Sequence, residues 1–251
     1  MAISQPSVSR CIHEVIDILN QPDVFNEWVH FPRNLGELEE VRWDFYENFR
    51  FPGVIGCIDA HTWQRAHAPP KHDVEYLYVN RKGYHSLNVQ LICDANYRIL
   101  NANARYPGRS HDSFIWNNCE VLPLMRRLHA TERDDFFLLG DSGNGLRPWL
   151  MTPMLDAAPD SPEERYTRQV THTRSLFERV NSVLKMRFRC LQKGRALHYD
   201  PVVAAKITNA CIVLHNICIA NHILPPPMIQ ESEDIDFGIH RQFLKTGMHL
   251  L

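Results

Sequence analysis

The sequence predicts an α/β fold: a mixed sheet flanked by helices, with a helical segment ahead of it. Three observations carry this. Apolar residues recur at helical spacing through the first 50 residues. Short apolar runs at 53–58 and 135–140 read as buried strands, with alternating segments between them. Long helical patterns at 161–191 and 199–220 follow. That order is a layered α/β pattern with the sheet in the first half.

Val8, Ile12, Val15, Ile16 and Leu19 mark the first helix, which Ser7 or Ser9 is placed to cap. A second is expected from about Leu35 to Phe49. At Pro52 the texture changes. The run GVIGCI at 53–58 suits a buried strand ending in Asp59. LNVQLIC at 87–93 and the segment 98–104 alternate as strands do, and Asp94-Ala95-Asn96 between them suits a hairpin turn. PGRSHDS at 107–113 follows a strand and opens a helix. DFFLLG at 135–140 is another buried strand, ending in Asp141. The last helix places Ala204, Ile207, Cys211, Leu214 and Ile217 or Cys218 on one face. The tail from His222 carries three prolines and then Glu231, Glu233, Asp234 and Asp236, and reads as an exposed extension.

Composition narrows the function classes. Hydrophobic residues make up 44 % and charged residues 22 % of 251, as in soluble globular proteins. No unbroken apolar run nears roughly 18 residues, so no membrane span is expected. Met1 to Arg10 lacks the layout of a signal peptide. Seven cysteines, an odd count without CxxC spacing, point to reduced thiols in an intracellular compartment and away from a cysteine zinc site. With a net charge of −2, any nucleic-acid contact must come from a local basic patch or from a missing or partner segment.

Two buried strands each deliver an aspartate, Asp59 and Asp141, to a strand end, where α/β sheets bind ligands. Clustered carboxylates repel unless a cation sits between them, and hard oxygen ligands favour Mg²⁺ or Mn²⁺. Each aspartate also reads as a turn former or helix cap. Asp112 is either a first-turn residue favoured by the helix dipole or a further ligand. On the helix at 161–191, Phe177, Val180, Leu184, Phe188 and Leu191 form an apolar stripe. Arg174, Glu178, Asn181, Lys185 and Arg189 form a polar one, on which Glu178 is a ligand candidate or half of an i, i+4 ion pair with Arg174. The stretch Tyr78 to His85 puts Arg81 and Lys82 beside two aromatics, a mix that suits phosphate contact and base stacking as well as a surface hairpin. Lys185, Arg187, Arg189, Lys193 and Arg195 are the best candidate for a DNA backbone track, and read equally as a solvated basic face. His215, on an apolar helix, reads as a hydrogen-bonded core histidine.

Together, GVIGCIDA (53–60), YVNRKGYHSLNVQLICDA (78–95), RYPGRSHDSFIW (105–116), FLLGDSGNGLRPWLMTP (137–153), ERYTRQVTHTRSLFERVNSVLKMRFRCL (164–191) and ACIVLHNIC (210–218) resemble the PIF/Harbinger transposases and the nuclease proteins derived from them. The resemblance covers roughly residues 50–220. It implies an RNase H-like fold and a metal-dependent DNA endonuclease with catalytic Asp59, Asp141 and Glu178. It makes Asp112 a plausible fourth metal ligand, and Mg²⁺ or Mn²⁺ the cofactor. Thirty-six residues separate Asp141 from Glu178, close to the family's gap. DNA contacts are expected at Arg81, Lys82, Lys185 and Arg189, residence in nucleus and cytoplasm, and a separate Myb-like DNA-binding protein as partner. The expected organisation is a helical remnant at 1–50, the nuclease domain at 51–221 and an extension at 222–251.

Two features depart from the family. Its histidine stands three residues after the first aspartate; here His61 stands two after Asp59, a shift that on a strand turns the ring to the side opposite the family's, which puts a supporting role in doubt. The family's longer N-terminal helical region, often with a helix-turn-helix, is matched here only from about Gln5 to Arg10 onward, so the expectation is that most of a DNA-reading module is absent. The rival expectation is a protein that keeps the fold without cleavage and docks a DNA-binding partner.

Overall fold

The structure, a computed structural model, describes residues 4–63, 74–131, 135–192 and 199–226. Five strands make one sheet: β1 (Val54–Trp63), β2 (Leu87–Cys93), β3 (Ile99–Pro107), β4 (Phe137–Leu139) and β5 (Leu150–Met151). Their order across the sheet is β3-β2-β1-β4-β5. β1, β2 and β3 pair antiparallel, while β4 runs parallel to β1 and β5 parallel to β4. This is the mixed sheet of the RNase H-like fold, with the helical N-terminal segment ahead of it.

Among the described residues eight helices surround it: α1 (Gln5–Leu19), α2 (Pro22–Trp28), α3 (Leu35–Phe49), α4 (Glu75–Tyr78), α5 (Asp112–Asn117), α6 (Val121–Ala130), α7 (Pro162–Arg187) and α8 (Pro201–Ala220). On one face, Cys57, Val89, Leu91 and Leu139 pack with Leu176 and Val180 of α7 and Ile212 and Val213 of α8. On the other, Ile55, Ile58, Ile92 and Leu138 pack with Trp116 of α5 and Leu122 and Met125 of α6. α3 joins both cores, through Phe45 and Leu38. All seven cysteines are free thiols.

Several elements differ from the sequence expectation. Ser4, and not Ser7 or Ser9, caps α1: its side chain accepts from the Ser7 amide. Asp59 lies inside β1, not at its end. The parallel pairing with β4 stops at Cys57↔Leu139, but the antiparallel pairing with β2 continues to Trp63↔Leu87. The aspartate therefore emerges where β4 ends while its own strand is still held. The 94–98 turn is as expected, with Asp94 Oδ1 accepting from the amides of Asn96 and Arg98 at 2.9 Å each. Asn181, grouped by spacing with the polar stripe of α7, is buried, and Leu214 of α8 is exposed. Lys193, Arg195 and the acidic tail residues Glu231, Glu233, Asp234 and Asp236 lie outside the described residues.

α8 is, by length and composition, long and apolar enough to cross a membrane, a property that counting unbroken apolar runs passes over. Its place here is in the core, and two polar side chains fasten it there. Asn216 Oδ1 accepts from the Ile99 amide at 2.9 Å, and its Nδ2 donates to the carbonyls of Ile99 (2.7 Å) and Trp28 (2.8 Å). His215 Nε2 donates to the Tyr97 carbonyl at 2.8 Å, the core histidine expected. Burial, aided by the Arg187 charge and opposed by the Tyr97 bond, depresses the His215 pKa to about 4.

That depression has a sign. The folded chain holds His215 neutral, so the stability it confers is fully present above the unfolded pKa near 6.5 and is lost as pH falls toward 4. A shift of this size amounts to roughly 3 kcal/mol. Chemical unfolding from pH 7 to 4.5 is expected to show a steeper acid loss in the wild type than in His215→Asn. Parallel pH curves would contradict it. Asp94, pushed up to about 6 by burial, works in the opposite direction and is common to both proteins.

Candidate metal centre

Three carboxylates converge at the centre of the sheet. One oxygen from each of Asp59, Asp112 and Asp141 lies within 4.8 Å of the others. Each arrives from a different element. Asp59 is on β1. Asp141 follows β4 and leads a 3-10 turn at Ser142–Asn144. Asp112 is the first residue of α5. The last placement depends on Gly108, whose amide donates to the Ser86 carbonyl at 2.8 Å. A Cβ there would meet that carbonyl oxygen at 2.8 Å and the Ser86 hydroxyl at 2.0 Å, so only glycine lets the 107–111 segment lie this close to the start of β2.

A neutral N–H orients each carboxylate. Asp59 Oδ1 accepts from the Ala60 amide (2.8 Å), Asp112 Oδ1 from Asn88 Nδ2 (2.9 Å) and Asp141 Oδ1 from Asn144 Nδ2 (2.7 Å). Asn88 also donates to the Ser110 carbonyl, locking the loop before α5. Such outer partners fix ligand geometry at metal sites. Burial pushes the Asp59 carboxyl up to about 6; Arg174 opposes this, and the charges of Asp141 and Asp112 add to it. Burial and Asp141 raise Asp112 as well, against the Asn88 bond. Three carboxylate oxygens this close repel one another unless a cation sits between them, and such hard donors fit Mg²⁺ or Mn²⁺.

Glu178 is not in this group. It is exposed on α7, while its charge is felt by His61 and Lys185. Arg174 does not form the i, i+4 pair that spacing allows with Glu178; it is ion-paired to Asp59 at 2.8 Å. His61, which the family comparison turned away from the site, faces it. Two residues along a strand return to the same side, so His61 shares the Asp59 face. Burial and the Lys185 charge lower its pKa, while Glu178 and Asp112 oppose them.

A cleft of about 620 Å³ adjoins the carboxylates. Arg81, Lys82 and Lys185, three of the four expected DNA-contact residues, line it with His61, Asp112 and Tyr84. Arg189 is exposed in the 3-10 turn Arg189–Leu191, outside the cleft lining. Arg187 of the same basic run instead donates to the Ile223 carbonyl, a bond to the segment after α8. Sequence reasoning missed Asn88, Asn144 and the cleft residue Arg109. The signal for Asn88 was its place as one of two polar residues, with Gln90, in an otherwise apolar strand; β2 is buried along its whole length.

A family model described as DDE superfamily endonuclease matches residues 59–216. The candidate nuclease HARBI1 of Xenopus laevis is 36 % identical over 226 residues, covering 89 % of this chain and 62 % of that protein. The Homo sapiens HARBI1 is 36 % identical over 245 residues, covering 93 % and 66 %. An Arabidopsis thaliana protein named ALP1-like is 25 % identical over 217 residues, covering 80 % and 52 %. The chain thus spans about three-fifths of the length of the first curated relatives it matches. No solved structure matches it significantly.

Proposed function

The chain belongs to the DDE superfamily endonuclease family, and from that premise we propose that it is a metal-dependent nuclease that hydrolyses phosphodiester bonds in DNA. The observation that carries the reading is the convergence of Asp59, Asp112 and Asp141 within 4.8 Å. These three would hold Mg²⁺ or Mn²⁺, and residues 51–221 are the unit we assign to the activity. Bound there, the cation supplies charge that polarises the phosphodiester and acidifies water for attack.

The chain's own residues do the rest. The Ala60 amide, Asn88 and Asn144 hold the carboxylates in position. Arg81, Lys82, Lys185 and Arg109 line the cleft where backbone phosphates would lie, and Arg189 extends the basic surface beyond it. His61, kept neutral near pH 7, is free to accept a hydrogen bond beside Asp112. Glu178 enters as a catalytic residue on the strength of its motif. To reach the three aspartates its side chain must turn from solvent toward the cleft. We place the protein in the nucleus and cytoplasm, with a Myb-like DNA-binding protein as partner.

The ion pair between Arg174 and Asp59 favours a second reading, a fold retained for docking without cleavage. Plasmid nicking separates the two. The nuclease converts supercoiled DNA to the open circle with Mg²⁺ or Mn²⁺ and not with EDTA. No conversion at micromolar protein with either metal supports docking.

A further inference from the structure

Arg174 stands where the charge balance of the cluster is decided. Asp112 and Asp141 are each held by a neutral amide, and Asp59 is ion-paired directly: Arg174 Nη2 donates to its Oδ2 at 2.8 Å, while Oδ1 is taken by the Ala60 amide. The pair is little screened, with side-chain exposures of 18 % for Arg174 and 14 % for Asp59. It is also held at one point. Arg174 Nε is buried without a hydrogen-bond partner, so the guanidinium lacks the two-pronged grip that makes arginine–carboxylate pairs permanent. Three close carboxylates need a positive charge; Arg81 acts on Asp112 from a distance, and Arg174 makes the direct ion pair, with Asp59.

We propose that Arg174 is the resident counter-cation of the carboxylate cluster, holding Asp59 in place until a divalent cation competes it away. The inference rests on the metal reading above. Like charges repel, so the arginine weakens cation binding as it steadies the empty cluster. That makes the site selective for a cation concentrated enough to displace it, and leaves the freed guanidinium beside the scissile region.

Calorimetric titration of the full chain with Mn²⁺ at pH 8 and low salt tests this. Arg174→Gln, which keeps polarity and drops the charge, is expected to bind about tenfold more tightly, the scale of one like-charge contact at a partly buried site. Arg174→Lys is expected within about twofold of the wild type, since the charge remains. A second readout needs no folded variant beyond the lysine one used for assignment. The Arg174 Nε–H resonance of the wild type should shift with Mg²⁺ at the midpoint of binding. Equal or weaker Mn²⁺ affinity in Arg174→Gln, or a resonance that stays fixed at saturating Mg²⁺, overturns the inference while leaving the metal site standing. If neither wild type nor Arg174→Gln binds Mn²⁺, the metal reading fails and this inference fails with it.

Discussion

Asp141→Ala is expected to abolish metal-dependent nicking of plasmid DNA, with a loss on the order of a thousandfold or more. Groups that act as one unit lose most of the activity when any member goes. The main cost falls on function. In the metal-free chain Asp141 adds its repulsion to the burial that raises the Asp59 carboxyl, but it is also the acceptor of the buried Asn144 amide, so its removal relieves one contact and breaks another. The variant should therefore melt close to the wild-type temperature while losing cleavage. Asp156→Ala, on the exposed surface, controls for charge and should cleave as the wild type does. Equal nicking by Asp141→Ala and wild type would locate the activity elsewhere.

The largest effect on stability is expected from Asn216→Ala. The Asn216 amide is 2 % exposed and makes three hydrogen bonds, two to Ile99 at the start of β3 and one to Trp28 at the end of α2. It thereby ties α8, the sheet and the N-terminal helices together through one side chain. Alanine leaves a buried N–H and two carbonyls without it, a cost of roughly 3 kcal/mol when unsatisfied groups remain. For a domain of this size that lowers the melting temperature by about 10 °C. A change within a degree or two would mean that water or a shifted backbone satisfies those groups.

How much of this was legible in the sequence follows from what local pattern encodes. Apolar period fixed the strands at 87–93 and near 137–139 and the helices at 35–49 and 201–220, because each buries a face large enough to leave a repeat. β5, two residues long, and α2, seven, are too short to leave one. The extent of β1 was misread because a strand has two edges, and its pairing with β2 outlasts its pairing with β4 by six residues, a fact stored in the partners and not in 53–58.

The site divides in the same way. Asp59 and Asp141 were visible as acids following buried runs, and ordered motifs singled out Asp112 and Glu178. Which of these four meet is a tertiary matter: three do within 4.8 Å, and Glu178 stands outside. Arg174 looked like a partner for Glu178 because helical spacing knows only its own helix; the fold brings Asp59 nearer. Asn144 was missed because its task, orienting Asp141, needs the turn folded to appear.

The most direct test is to soak crystals of the wild-type chain in millimolar Mn²⁺ and compute the anomalous difference map. The account predicts a peak at roughly 2.0–2.3 Å from carboxylate oxygens of Asp59, Asp112 and Asp141, typical of oxygen-ligated Mg²⁺-like ions. A map with no peak among these three side chains, at a concentration that supports nicking in solution, would contradict it.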